Sequence, residues 1–287
     1  MAELVNTDPK PGDYSDRTTA AVRSVLLEIG QILGSYRGKF VVVGGTVPWL
    51  LLDNPEMRHI GSFDVDLSLD PAALGDGEYA TLIEELKKHD YAQSDELRKF
   101  QMVREVPVND GPPISVIIDF LMPRDAVLTR NDPPLVENFA VQKAHGADLA
   151  LRYFETIKLE GLMPKGGHNQ VELAVASVPA LLAMKGYALN GRLKEKDAYD
   201  IYYCIRNYRG GPRALAVDCQ PLLENPEAVT GFRHISSKFE RQDGHGPECV
   251  QRFAAEAGIL DDRTADQWQT DAFGQVDAWL RALGIRG

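Results

Sequence analysis

The sequence predicts an α+β protein, in which a mixed sheet with flanking helices is followed by a mainly helical C-terminal region. Up to about residue 176, short β-branched or alternating apolar runs are interspersed with amphipathic helical patterns. From Ser177 onward, apolar residues recur at helical spacing instead. We therefore expect a loose arm over 1–16, an α/β domain over 17–176 and a helical domain over 177–287.

Composition narrows the class of protein. Of the 287 residues, 44% are hydrophobic and 25% are charged, as in an ordinary globular protein. No run of about 18 apolar residues is present, and the N-terminus lacks the basic and apolar parts of a secretory signal, so we expect no membrane span. Cys204, Cys219 and Cys249 lie too far apart for a disulfide framework or zinc site, which favours the cytoplasm.

The charge balance bears on binding partners. Lys and Arg total 31 and Asp and Glu total 42, so the net charge is 31 − 42 = −11. An acidic chain repels nucleic acid at long range, which disfavours a general DNA-binding protein. An acidic site filled by a divalent metal ion is compatible with this charge.

The first elements are a helix and a buried strand. Apolar residues at three- and four-residue steps predict an amphipathic helix from Asp16 to about Tyr36. The continuously apolar, β-branched segment Phe40–Val43 predicts a strand buried on both faces.

A glycine turn follows this strand. Gly44 and Gly45 predict the turn, and Thr46 with Pro48 predicts a helix to about Leu52. Glycine lets the backbone approach a ligand, and a helix N-terminus offers N–H groups to an anion, so a triphosphate is one interpretation. A tight turn without a ligand is the other. The turn matches neither a P-loop nor a dinucleotide fingerprint.

The most informative segment is a strand over 63–69 that carries acids. Asp64 and Asp66 share one face and apolar residues occupy the other. Two carboxylates this close favour a cation between them, and Mg²⁺ prefers carboxylates, water and phosphates. Asp119, in a second apolar strand over 114–120, is the candidate third ligand. Alternatively, the polar face is simply hydrated, and Asp119 is a helix cap or ion-pair partner.

Further elements complete the first domain. The pattern predicts a helix over 77–90 and a strand over 100–105. It then predicts strands over 149–159 and 171–176, separated by the Gly166-Gly167 turn.

The helical region contains a second group of charged residues. Helices are predicted from Ser177 to Asn190 and from about Leu193 to Tyr208. Lys185 lies on the first, otherwise apolar helix, from which its ammonium group would reach nucleotide phosphates.

Two acids follow on the next helix. Asp197 and Asp200 are three residues apart and share a face. Asp197 is expected to hold Lys185 or Arg192, or to act near an acceptor hydroxyl. The alternative is a solvated helix face on which Lys196 and Asp200 form an ordinary i,i+4 pair.

Together these motifs resemble the AbiEii/AbiGii toxin-type nucleotidyltransferases, which belong to the superfamily that includes DNA polymerase β. The resemblance spans about Phe40 to Tyr203. The spacer between Gly45 and Asp64, with 18 intervening residues, is long for the family. The matching motifs are Gly44-Gly45, Ser62-Phe63-Asp64-Val65-Asp66, Lys185 and Lys196-Asp197-Ala198-Tyr199-Asp200.

The resemblance implies transfer of a nucleoside monophosphate from an NTP to an RNA, such as tRNA, or to a protein, by a toxin that an antitoxin neutralises. It implies a nucleotidyltransferase-like sheet, with Mg²⁺ or Mn²⁺ held by Asp64, Asp66 and Asp119. Phosphates would be held by Gly44, Gly45, Thr46 and Lys185. Arg192 and Asp200 would bind substrate, and Lys185 and Asp197 would join the acids in catalysis. Alternatives are transfer to a small molecule such as an antibiotic, and a non-catalytic nucleotide-binding module.

Overall fold

The structure of the protein is a computed structural model, which describes residues 10, 13–74, 78–94, 97–108, 111–126 and 141–287. The chain divides into two compact units. The first unit comprises Tyr14–Thr46 and Gly61–Ala176, and the second comprises Lys10–Asp13, Val47–Ile60 and Ser177–Gly287. The segment Val47–Ile60, which the sequence places in the α/β domain, thus belongs to the second unit. Most of the predicted arm over 1–16 lies outside the described residues.

Ten helices and eight strands occur in the described residues. The helices are α1 (Asp16–Ile32), α2 (Val47–Leu51), α3 (Glu78–Lys88), α4 (Ala147–Arg152), α5 (Val178–Gly191), α6 (Glu195–Asn207), α7 (Gly211–Cys219), α8 (Pro226–Lys238), α9 (His245–Glu256) and α10 (Ala265–Leu283). The strands are β1 (Phe40–Val43), β2 (Asp64–Leu69), β3 (Tyr91–Ala92), β4 (Gln101–Val106), β5 (Ile114–Pro123), β6 (Gln142–Ala144), β7 (Phe154–Leu162) and β8 (His168–Ala176).

The strands of the first unit form one mixed sheet. Their order is β3-β4-β5-β2-β1-β8-β7, with β6 paired to β5. β2 runs parallel to β5. β1 runs antiparallel to β2, and β4 runs antiparallel to β5. The predicted mixed sheet, with helices around it and a helical region after it, is therefore confirmed. β1, β2, β5 and β4 lie side by side, so residues in register on them share a row across the sheet.

One face of β2 is core. Val65, Leu67 and Leu69 are fully buried, as alternation in the sequence predicts. α1 packs against β5, β7 and β8, and its Ile29 is also fully buried. The apolar residues of β2 point into this core, which leaves its two acids on the opposite face.

The predicted strand over 149–159 is wrong in its first part. Residues Ala147–Arg152 form α4, and β7 begins only at Phe154. Gly146 adopts a left-handed conformation (φ 73°) at the start of α4, and the alanines and leucines that follow are strong helix formers. The two- and three-residue strands β3 and β6 were not predicted, because so short a segment shows no periodicity.

The second unit is helical, as predicted. α5 begins after Ser177, whose Oγ accepts a hydrogen bond from the N–H of Ala180 at 3.4 Å. Helices α5 and α8 approach so closely that a Cβ on Gly186 would lie 2.0 Å from the carbonyl oxygen of Gly231. A membrane crossing by a helix is not supported, since none in the described ranges combines sufficient length with sufficient apolar character.

Candidate active site

Three carboxylates converge on one face of the sheet. Asp64 and Asp66 project from β2, and Asp119 projects from β5. One oxygen atom from each lies within 4.8 Å of the others, and all three residues are half-buried. Asp66 and Asp119 are direct partners in the parallel β2–β5 pair, which explains the convergence. We call these three residues the acid cluster. In the described part of the chain it is the one group with ligand atoms placed to hold a metal ion.

Two neighbouring side chains hydrogen-bond to the acid cluster. The Ser62 hydroxyl donates to Oδ1 of Asp64 at 2.6 Å, and Nε2 of Gln101 donates to Oδ1 of Asp119 at 2.8 Å. Gln101 stands opposite Asp119 in the antiparallel β4–β5 pair. Sequence reasoning missed Gln101, because only the strand register shows that it faces an acid. Ser62 entered only as part of the family motif.

The glycine turn touches the acid cluster. Gly44 to Thr46 form a single 3₁₀ turn directly after β1, and Gly44 has a φ of 76°. A Cβ on Gly44 would lie 1.8 Å from Oδ2 of Asp66. Any larger residue would therefore collide with the Asp66 carboxylate and adopt a backbone conformation that side chains disfavour. The structure brings the predicted turn and the predicted acids together despite the long spacer.

Thr46 and the helix after it differ from expectation. Thr46 is fully buried, and its hydroxyl donates to the carbonyl of Val43 at 3.2 Å. α2 has only five residues, so its macrodipole is small. The hydroxyl of Thr46 therefore stabilises the turn, and the backbone of the turn itself is what faces the acid cluster.

The chemistry of the acid cluster suits a divalent cation. Three carboxylates within 4.8 Å repel one another when all are ionised. Because the three residues are half-buried, a ligand can reach their carboxylates, and less water competes with it for them. Their oxygen donors are the kind that Mg²⁺ and Mn²⁺ prefer.

The second unit contains a separate, buried group of charges. Nζ of Lys185 donates to Oδ1 of Asp197 and to Oδ2 of Asp200, both at 2.7 Å. Arg192 binds both oxygens of Asp197, at 2.7 and 3.0 Å, and Lys196 binds Asp200 at 2.9 Å. We call this the ion-pair network, which His59 completes by a contact of 3.0 Å between its Nε2 and Oδ1 of Asp200.

Burial and charge set the protonation states of the ion-pair network. Burial opposes the charge of Lys185, but Asp197 and Asp200 outweigh it and raise the pKa of the ammonium group above its ordinary value. Burial also opposes the charge of Asp200, and Lys185 and Lys196 outweigh it and hold the pKa of that carboxyl well below its usual range. Burial lowers the pKa of His59 to about 4, so its ring is neutral at pH 7.

This arrangement divides the predicted site residues into two groups. Asp197 holds both Lys185 and Arg192, as one of the sequence interpretations has it. The i,i+4 pair of Lys196 and Asp200 is also present, on a buried face rather than a solvated one. The acid cluster and glycine turn lie in the first unit and the ion-pair network in the second.

Comparison with known proteins gives structural similarity only. No protein-family model and no curated protein matches the sequence. A nucleotidyltransferase-like antigenic protein from Paracoccidioides brasiliensis aligns with a TM-score of 0.47 and 18% identity, over 77% of this chain and 89% of that chain. JHP933 from Helicobacter pylori aligns with a TM-score of 0.45 and 11% identity, over 94% and 95%. Identities and TM-scores this low carry no information on function, so the function of the site is inferred from its own residues.

Proposed function

We propose that this protein is a metal-dependent nucleotidyltransferase, which moves a nucleoside monophosphate from an NTP to an acceptor. The observation that carries the proposal is the convergence of Asp64, Asp66 and Asp119 beside Gly44. A nucleotide with its metal ions needs carboxylates and a close-approaching backbone in the same place.

The acid cluster would hold Mg²⁺ or Mn²⁺. When bound, such ions activate the acceptor hydroxyl and offset the charge on the departing pyrophosphate. The protein's own contribution is positional: β2 and β5 fix the carboxylates in register, and Ser62 and Gln101 donate hydrogen bonds to two of them. Catalysis would then rest on positioning and electrostatics.

The glycine turn would bring the phosphates to the acids. Because Gly44 has no side chain, the Asp66 carboxylate packs directly against the backbone of the turn, so phosphates held by the turn would lie beside that carboxylate. Thr46 would serve by holding the turn through its bond to Val43.

The role of the ion-pair network would be mainly structural. The ammonium group of Lys185 is buried between two carboxylates, and Asp197 and Asp200 are committed to it. The side chain of Arg192 is 53% exposed, so within this network it is the cation that a phosphate can reach from solvent. We therefore propose that Arg192 binds a negatively charged group of the substrate and that Asp197 holds its guanidinium group, while Lys185 and Asp200 complete the network around Asp197.

For the acceptor, we propose an RNA or a protein, with the enzyme acting as a toxin that an antitoxin partner neutralises. The motif resemblance to the AbiEii/AbiGii type supports this choice, through Ser62-Phe63-Asp64-Val65-Asp66 and Lys196-Asp197-Ala198-Tyr199-Asp200.

A labelling experiment tests the activity. The purified chain is incubated with Mg²⁺ or Mn²⁺ and each α-labelled NTP, together with total RNA, cell protein or small alcohols. We expect label in RNA or protein, pyrophosphate release, and loss of both in Asp64→Asn and Asp66→Asn by at least about 100-fold. Glu105→Gln, which removes an exposed carboxylate from the same face of the sheet, is the matched control and should retain activity. Label that persists in both Asn variants would contradict the proposal, as would nucleotide binding without pyrophosphate release.

A further inference from the structure

Gln101 is placed to control the third carboxylate of the acid cluster. It is the first residue of β4, directly opposite Asp119 on β5, and its side chain lies on the same face of the sheet as the acids. It is only 6% exposed. A buried amide at this position must satisfy its hydrogen bonds within the protein.

Both ends of the Gln101 amide are committed. Its Oε1 accepts a hydrogen bond from the backbone N–H of Arg98 at 3.1 Å, and its Nε2 donates to Oδ1 of Asp119 at 2.8 Å. The backbone N–H of Gln101 in turn donates to the carbonyl of Arg98 at 2.9 Å. Because Arg98 can only donate at that N–H, the amide cannot flip, and a donor always faces the carboxylate.

This contact constrains Asp119. A donated hydrogen bond at 2.8 Å from a side chain that cannot flip fixes the plane of the carboxylate. Partners that orient a metal ligand in this way commonly change metal affinity when they are removed. Asp64 has a similar partner in Ser62, but Ser62 belongs to the motif and Gln101 does not.

We propose that Gln101 is a positioning residue, which holds Asp119 in the orientation that binds the divalent cation. The inference rests on the proposed function, since it concerns the same metal site. It adds β4 and the Arg98–Gln101 turn to the elements on which that site depends.

The test measures metal binding directly. Mn²⁺ is titrated into the purified full chain and free Mn²⁺ is followed by electron paramagnetic resonance. Gln101→Leu removes the donor with little change of volume, and Gln101→Met repeats the test should the branched side chain prevent folding. We expect the Kd for Mn²⁺ to rise by about 10-fold or more in these variants. Glu105→Gln, farther along β4, should bind Mn²⁺ as wild type does.

A kinetic readout separates positioning from a merely structural role. In the nucleotidyl transfer assay, we expect the Mg²⁺ concentration for half-maximal rate to rise in Gln101→Leu, while the rate at saturating Mg²⁺ recovers most of its wild-type value. A Kd within twofold of wild type in both Gln101 variants overturns the inference alone. Wild-type protein that does not bind Mn²⁺ overturns the proposed metal site itself, and the inference with it.

Discussion

At the level of single residues, Gly44 is where the glycine turn and the acid cluster constrain each other. Its φ of 76° favours glycine, and a Cβ at this position would lie 1.8 Å from Oδ2 of Asp66, so a side chain fits only if that carboxylate moves. The sequence suggested a turn at this position but not its contact with Asp66. That contact depends on β1 pairing antiparallel with β2, which places Val43 opposite Asp66.

Gly44→Ala should strongly reduce the rate of nucleotidyl transfer and only moderately reduce the free energy of unfolding. The new methyl group must displace the Asp66 carboxylate, and a misplacement of about 1 Å can cost about 100-fold in rate. The backbone strain alone should cost about 1–2 kcal/mol of unfolding free energy. Transfer rates and thermal melts of the purified variant would measure both effects.

Gly38→Ala provides the matched control for this change. Gly38 has a similar φ of 81°, but a Cβ added there would have no atom of the described residues within 4 Å beyond its chain neighbours. Gly38→Ala should therefore lose unfolding free energy to backbone strain but keep its transfer activity. Equal activity in the two variants would mean that the contact with Asp66 does not matter.

At the level of elements, the helices of the second unit depend on a buried set of charges. Lys185 on α5 joins Asp197 and Asp200 on α6, and His59 reaches Asp200 from the segment Val47–Ile60. Removing one partner from a buried pair leaves an uncompensated charge, which destabilises strongly.

Lys185→Met should destabilise the second unit by up to about 3–5 kcal/mol, because the two buried carboxylates lose the cation that they share and keep only Arg192 and Lys196. Urea unfolding followed by tryptophan fluorescence is a suitable measurement, since Trp49, Trp268 and Trp279 all belong to this unit. The double variant Lys185→Met with Asp200→Asn should recover part of the loss.

Arg241→Met is the control for that measurement. It removes a cation from the exposed pair with Asp243 in the same unit and should leave the unfolding midpoint unchanged. A Lys185→Met protein as stable as wild type would show that the ion-pair network is not required for the fold.

The buried His59 should make the second unit sensitive to mild acid. Its pKa is about 4 in the folded chain and near 6.5 in an unfolded one, so the unfolded state binds more protons between these values. The free energy of unfolding should therefore fall by about 3 kcal/mol as the pH drops from 6.5 to 4. Asp197 and Asp200, with lowered pKa values, should add their losses only below about pH 4.

Urea titrations at several pH values would measure this effect. In His59→Gln the side chain does not titrate, so the slope between pH 6.5 and 4 should flatten. A wild-type slope in that variant would assign the acid sensitivity to other groups.

The elements that could be read from the sequence are those with a strong local pattern. The alternation around Asp64 and Asp66 predicted a strand with acids on one face, and the apolar run around Asp119 predicted its partner. Register is a long-range property, so Gln101 opposite Asp119 could not be anticipated. Nor could the sequence decide whether Lys185, on an apolar helix, points to a ligand or to two acids.

At the level of the whole molecule, the chain crosses between its two units more than once. Residues 47–60 leave the first unit for the second and return before β2. No local pattern marks this exchange, because the segment has ordinary helix and loop signals and its partners lie far away in sequence, as in the bond between Asn54 and Asn207. The net charge of −11 is also a property of the whole chain.

That net charge should limit the salt dependence of RNA modification. A protein with 6–10 phosphate contacts loses about 10³–10⁵ in affinity between 50 and 200 mM salt. An acidic chain with few such contacts should show an increase in KM for RNA of about 10-fold or less. Transfer assays with tRNA at both salt concentrations would measure it, with KM for the NTP as the internal control. A thousandfold increase would indicate an extended basic surface that the net charge does not suggest.

The central claim is that Asp64, Asp66 and Asp119 hold a divalent cation together with a nucleotide. The most direct measurement is an anomalous difference map from crystals grown with Mn²⁺ and a non-hydrolysable NTP. We expect a Mn²⁺ peak within bonding distance of all three carboxylates, with the triphosphate between it and the Gly44-Gly45 turn. Bound nucleotide with no Mn²⁺ peak at these carboxylates, or with its phosphates away from the turn, would contradict the account.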